Sequence, residues 1–135
     1  MPPTPHSRGR VLAVDDSSVI LELLTASLEA AGYSVEAVGS GDAALAAAWR
    51  ESFDAVILDV DMPGIDGLAV GRALRGDPRT RLAMIAMHTS LDEADVRTGF
   101  DDYDVFLPKP CSALLLGECV GRMIRDRGQR AGAHA

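Results

Sequence analysis

Lysine is almost absent from this chain: of its thirteen basic residues twelve are arginine, and Lys109 is the only lysine. Cysteine is nearly as scarce, and Cys111 and Cys119 have no partners at zinc-ligand spacing, which argues against a structural zinc site or a disulfide scaffold. A cytosolic pair of this kind stays reduced, so structural filler is the expected role. Aromatic residues make up only 4%. No apolar run approaches the roughly 20 residues that span a bilayer. The opening MPPTPHSRGR lacks the apolar centre of a secretory signal, so a soluble, cytoplasmic protein without membrane contact is expected. Basic charge is also in deficit, with 13 Lys plus Arg against 20 Asp plus Glu and a net charge of -7. Such a surface repels phosphate backbones, and nucleic-acid binding by this domain is not expected.

What is present fits one globular domain. The length of 135 residues lies near the usual size of about 150 per domain, and 47% of residues are apolar. Four apolar runs end abruptly in polar or turn residues. Val11–Val14 stops at Asp15-Asp16, Ala55–Leu58 at Asp59, Ala83–Met87 at His88-Thr89-Ser90, and Val105–Leu107 at Pro108-Lys109-Pro110. Runs that are apolar on both faces suit parallel strands covered by helices on each side. A more polar run, Ser34–Val38, reads as an edge strand.

Between the runs the period becomes helical. Ile20, Leu23, Leu24, Leu28 and Ala31 define a first helix, with Ser17 as N-cap and Gly32 as its stop. Asp42–Trp49, with Leu45 and Trp49 on one face, Leu68–Arg75, Glu93 to about Phe100, and Leu114–Arg125 follow. In the last of these, Leu116, Cys119, Val120, Met123 and Ile124 are expected to turn inward. Five βα units with right-handed crossovers make an α/β fold, a doubly wound parallel sheet. Residues 1–9 and 128–135 are expected to be flexible tails around a domain spanning 10–127, the second of them locally basic through Arg130.

Folds of this type bind ligands at the carboxyl ends of their strands. Here those ends offer Asp15 and Asp16, Asp59, Thr89 and Ser90, and Lys109. Carboxylates about 4 Å apart repel by roughly 4 kcal/mol at an effective dielectric of 20, so a cluster of three calls for a cation or protons. Oxygen-only ligands in a partly open site favour Mg²⁺. A metal, a carboxylate able to attack, a hydroxyl and an ammonium group together suit phosphoryl transfer, with Asp59 on the central strand as the nucleophile.

With those residues in place, VLAVDDSS (Val11–Ser18), VILDVDMPGIDG (Val56–Gly67), MIAMHTS (Met84–Ser90) and FLPKP (Phe106–Pro110) resemble the receiver domain of two-component response regulators, over about residues 10–127. The resemblance implies a flavodoxin-like sheet of order 2-1-3-4-5. It implies that Asp59 accepts a phosphoryl group from a sensor histidine kinase or histidine phosphotransfer protein. Mg²⁺ would be held by Asp16, Asp59 and the backbone carbonyl of Asp61, with Asp15 acting through water. Thr89 would be the switch hydroxyl, with Ser90 beside it, Lys109 the partner of the phosphoryl group, Phe106 the switch aromatic, and Lys109–Pro110 a cis bond. Such a domain is not an enzyme towards other molecules; it catalyses only its own phosphorylation and dephosphorylation, and it passes the signal to a downstream target protein.

Three features depart from the family pattern. Thr89 and Lys109 are twenty residues apart, about two fewer than usual, and the shortage falls in the fourth helix. His88 stands where an aliphatic residue is usual, which leaves side-chain packing or a pH-sensitive influence on the switch. Cys111 replaces a bulky apolar residue. Asp59-Val60-Asp61 also fits the Asp-x-Asp pair of haloacid-dehalogenase-type phosphatases, but Met62 and the mid-chain position argue against that reading. A receiver used as a phosphate-independent binding module is the other alternative, and the full set of acid, hydroxyl and lysine opposes it.

Overall fold

The computed structural model describes residues 7–133. Strands β1 (Arg10–Val14), β2 (Ser34–Val38), β3 (Ala55–Leu58), β4 (Met84–Thr89) and β5 (Val105–Pro108) alternate with helices α1 (Ser18–Ala30), α2 (Gly41–Arg50), α3 (Gly67–Gly76), α4 (Glu93–Gly99) and α5 (Ala113–Ala133). All strand pairs are parallel, in the order β2-β1-β3-β4-β5. This is the doubly wound parallel sheet expected from the alternation of periods, in the flavodoxin-like order that the family resemblance implies.

Every residue of β3 and β4 is buried, as befits strands covered on both faces. Successive side chains point to opposite sides. Val56, Leu58, Ile85 and Met87 join Leu45, Val70, Leu74 and Val96 in the core under α2, α3 and α4. Ala55, Ile57, Met84 and Ala86 join Leu24, Leu28, Leu116, Val120 and Met123 under α1 and α5. Each fully buried aliphatic side chain contributes about 1.5–3 kcal/mol. Edge strand β2 is only partly buried.

Helix ends follow local chemistry. Ser17 Oγ accepts from Ile20 N, Ser40 Oγ from Ala43 N, Asp66 Oδ1 from Ala69 N and Ser112 Oγ from Leu115 N, so four helices open on side-chain caps. Helix α1 closes at Gly32, whose N–H donates to Glu29 O while Tyr33 N donates to Leu28 O. Helix α4, where the chain is short, has seven residues, and Asp92 makes no side-chain cap.

Several expectations need correction. Helix α5 does not end at Arg125; it continues to Ala133, so residues 128–133 are helical rather than a loose tail. At the other end Ser7–Gly9 is pinned. Arg8 N donates to Gly32 O, Gly9 O accepts from Ser34 N, and the Arg8 guanidinium lies 5.0 Å over the Tyr33 ring. Residues 1–6, 134 and 135 of the expected tails lie outside the described residues. Trp49 does not share the burial of Leu45, because it stands at the end of α2 with the Arg79 guanidinium 5.7 Å over its ring. Leu23 is 60% exposed, while Leu24 and Leu28 carry the inward face of α1.

Candidate functional site

The site is built by strands that overrun their ends by one residue. Asp15 N donates to Val38 O, Asp59 N to Val14 O and Lys109 N to Thr89 O, so each residue is still held by the sheet ladder. Side chains that would wander on a free loop are thereby aimed into one crevice. Carboxylate oxygens of Asp15, Asp16 and Asp59 all lie within 4.8 Å of one another. Asp15 and Asp59 are buried and Asp16 is exposed, so the crevice is closed below and open above.

Each buried carboxylate is oriented by a nearby amide. Asp15 Oδ1 accepts from Ser17 N at 2.9 Å, and Asp59 Oδ1 accepts from Val60 N at 2.9 Å. Lys109 Nζ donates to Asp15 Oδ2 at 2.7 Å and stands 3.4 Å from Asp59 Oδ1. One ammonium therefore pairs with the two buried carboxylates, and among the described residues no ion pair reaches Asp16. Burial raises the pKa of Asp59 above the usual carboxylate value, and the neighbouring charge of Asp15 raises it further, against the opposing pull of Lys109. For Lys109 burial favours the neutral amine, yet the hydrogen bond to Asp15 and the charge of Asp59 outweigh it and raise its pKa.

The donor set fits a hard cation. Its ligand atoms are all oxygens, two of the carboxylates are taken out of water, and the single lysine leaves a local excess of negative charge. Asp61 is exposed at the rim of the loop that leaves Asp59. That loop turns at Pro63-Gly64, where Gly64 adopts φ +76, a left-handed conformation that glycine reaches without strain.

Thr89 is fully buried at the end of β4, where its Oγ1 accepts from Leu91 N at 3.1 Å. Ser90 is exposed, and among the described residues no hydrogen bond joins it to the acidic group. Phe106 sits opposite Met87 in the β4–β5 register and packs, half-buried, against the core under α3 and α4. The Lys109–Pro110 bond is cis.

Sequence reasoning missed two contributors. A Cβ at Gly67 would collide with the Asp59 carbonyl oxygen, so only glycine lets α3 start this close to the end of β3. The Asp66-Gly67 pair is legible as a turn signal, but the close approach is not. The second is Tyr103, whose hydroxyl donates to Glu93 and whose ring centroid lies 6.1 Å from that of Phe106, tying Phe106 to α4.

The fold, with an acidic crevice at the carboxyl ends of its strands, defines a class of α/β domain that comparison with known proteins identifies. The family model for the response regulator receiver domain matches residues 11–120, and the chain belongs to that family. It is 40% identical over 113 residues to the response regulator PleD of Caulobacter vibrioides, covering 80% of this chain and 24% of PleD. It is 39% identical over 132 residues to the sensor histidine kinase GacS of Pseudomonas protegens, covering 88% of this chain and 14% of GacS. The chain thus spans a quarter or less of the length of these two curated relatives. Among solved structures, the chemotaxis protein CheY4 of Vibrio cholerae superposes with a TM-score of 0.80 at 32% identity, over 85% of this chain and 98% of that one. No helix among the described residues is long and apolar enough to cross a membrane.

Proposed function

We propose that this receiver domain accepts a phosphoryl group on Asp59 from a phosphohistidine of a sensor histidine kinase or histidine phosphotransfer protein. The observation that carries the reading is the convergence of Asp15, Asp16 and Asp59 within 4.8 Å around a single lysine. Oδ1 of Asp59 is already engaged by Val60 N and Lys109, which supports Oδ2 as the attacking atom. The O–P bond forms as the P–N bond breaks, and the imidazole leaves after taking a proton from solvent. Mg²⁺ held by Asp16, Asp59 and the Asp61 carbonyl, with Asp15 through water, would supply charge neutralisation for the incoming phosphoryl oxygens.

Lys109 is placed to meet one phosphoryl oxygen and the Thr89 hydroxyl another. Phosphorylation replaces the single negative charge of the Asp59 carboxylate with a phosphoryl group carrying about -2 in a buried setting. Drawing Thr89 towards it opens space on the Phe106 side of β4, so the population shifts to a packing in which Phe106 turns inward and the α4–β5 face is remodelled. Water later cleaves the acyl phosphate, and Asp61 at the rim tunes that rate. The domain thus acts only on itself, in the cytoplasm, and signals to a downstream protein. The net charge of -7 speaks against nucleic acid as a direct partner of this domain.

Incubation with acetyl phosphate or phosphoramidate and Mg²⁺, read by intact mass, tests this. Labelling is expected in the native chain, with loss in Asp59→Asn and on chelation of the metal. Label that persists in Asp59→Asn removes Asp59 from its role.

A further inference from the structure

Behind the acidic crevice, on the α1–α5 side of the sheet, lies a cavity of about 350 Å³ that the phosphoryl chemistry does not use. Its volume falls within the roughly 300–1,000 Å³ of small-molecule sites. Ile20, Leu23, Leu24 and Leu116 supply apolar walls, Lys109 and Pro110 close one side, and His88 lines it from β4. Leu23, 60% exposed, stands at its mouth.

His88 is the anomaly. It is only 5% exposed; its Nδ1 is shut off from solvent without a hydrogen-bond partner, and its Nε2, which is not shut off in this way, makes no hydrogen bond to any described residue. A buried polar group of this kind is costly unless something satisfies it. The position carries an imidazole where an aliphatic side chain would pack without that cost.

We propose that this cavity is a binding site for a small neutral hydroxylic molecule with an apolar body, of the phenol or alcohol class, whose hydroxyl hydrogen-bonds to His88 Nε2. Neutrality follows from the surroundings. The Lys109 ammonium is already committed to Asp15 and Asp59, so no free cation awaits an anion, and the neighbouring carboxylates repel one. Burial, reinforced by Lys109, lowers the His88 pKa against the weaker pull of Asp15, so the ring stands neutral with one donor and one acceptor nitrogen. Burial likewise raises the pKa of the Cys111 thiol, which lines the site as a neutral group. A hydroxyl both donates and accepts, and so complements either tautomer.

The test uses the full chain without Mg²⁺ or phosphodonor, so its outcome is separate from that of the labelling experiment. Phenol and benzene are titrated while backbone amide shifts are followed by NMR. Phenol is expected to give saturable shifts centred on Leu23, Leu24, His88, Cys111 and Leu116, with affinity roughly tenfold above that of benzene. His88→Val should reduce phenol to the benzene level and leave benzene unchanged. Ala113→Trp, at an exposed position on the rim, should block both probes without touching the core. Absence of saturation, shifts spread beyond the cavity, or phenol affinity that survives either variant overturns the proposal. Equal binding of phenol and benzene to the native chain overturns it too, since it would mark a plain apolar cleft.

Discussion

The two ends of the sheet treat charge in opposite ways. At the amino-terminal ends of the strands nearly every charge is matched. Arg10 at the start of β1 reaches Glu36 and Glu51, Arg50 reaches the same two, Arg127 reaches Asp54 before β3, and Arg75 reaches Asp104 before β5. Arg10 holds Glu51 well below the usual carboxylate range, at about 2. At the carboxyl-terminal ends three carboxylates cluster. Lys109 is the one cation paired with them among the described residues, it reaches only Asp15 and Asp59, and the pKa of Asp59 moves upward. One end spends its ion pairs on stability, while the other keeps a deficit that the proposed cation and phosphoryl group would offset. Charge left unbalanced in a buried place marks the working end of the molecule.

Substitutions at both ends sharpen this contrast. The largest effect is expected from Gly67→Ala, which forces a methyl group into the Asp59 carbonyl. Urea unfolding should show a loss of about 4 kcal/mol. At the matched end, Arg75→Ala strips the guanidinium from Asp104 and from the carbonyls of Ala83, Arg81 and Asp102, with an expected loss of about 3 kcal/mol. A neutral result there would show that the pairing contributes nothing.

At the working end the sign reverses. Asp59→Asn should stabilise the unphosphorylated chain at neutral pH by about 1–2 kcal/mol, a fraction of the roughly 3 kcal/mol by which carboxylates within 4.8 Å repel at an effective dielectric of 20. Because folding raises the Asp59 pKa, the folded chain keeps that proton to higher pH than the unfolded one. The gap between native and variant therefore opens as pH rises through the raised value and closes below 3.8.

The smallest effect is expected at His88, whose pKa folding lowers. Its contribution is intact above the ordinary value of 6.5 and is lost as pH falls below that, with a slope of at most about 1.4 kcal/mol per pH unit. His88→Val should flatten that acid limb in a series of thermal melts. An unchanged slope would place the titration elsewhere.

Much of this was legible along the chain. The strands announced themselves as short runs apolar on both faces, and the Asp, Thr and Lys positions were readable because each run stops where they begin. Ser17 and Gly32 marked the ends of α1 through chemistry that acts over three or four residues. Ser90 was grouped with Thr89 by adjacency, but strand alternation turns neighbours to opposite sides, and it lies exposed while Thr89 is buried. The length of α5 was missed because its last turns, rich in Arg, Gly and Gln, carry no apolar period. Spacing puts Trp49 on one face with Leu45 and Leu23 in the period of α1, yet both stand exposed, because burial depends on what stands opposite and spacing does not report that.

The chain by itself determined the order of elements, the strand ends and which side chains stand at them, because periodicity, caps and breakers act between near neighbours. Only the tertiary structure decided that Lys109 bridges Asp15 and Asp59, that α3 starts against the Asp59 carbonyl, and that His88 faces a cavity with no protein partner. Those facts join residues tens of positions apart. They exist only once the sheet has set the distances between them.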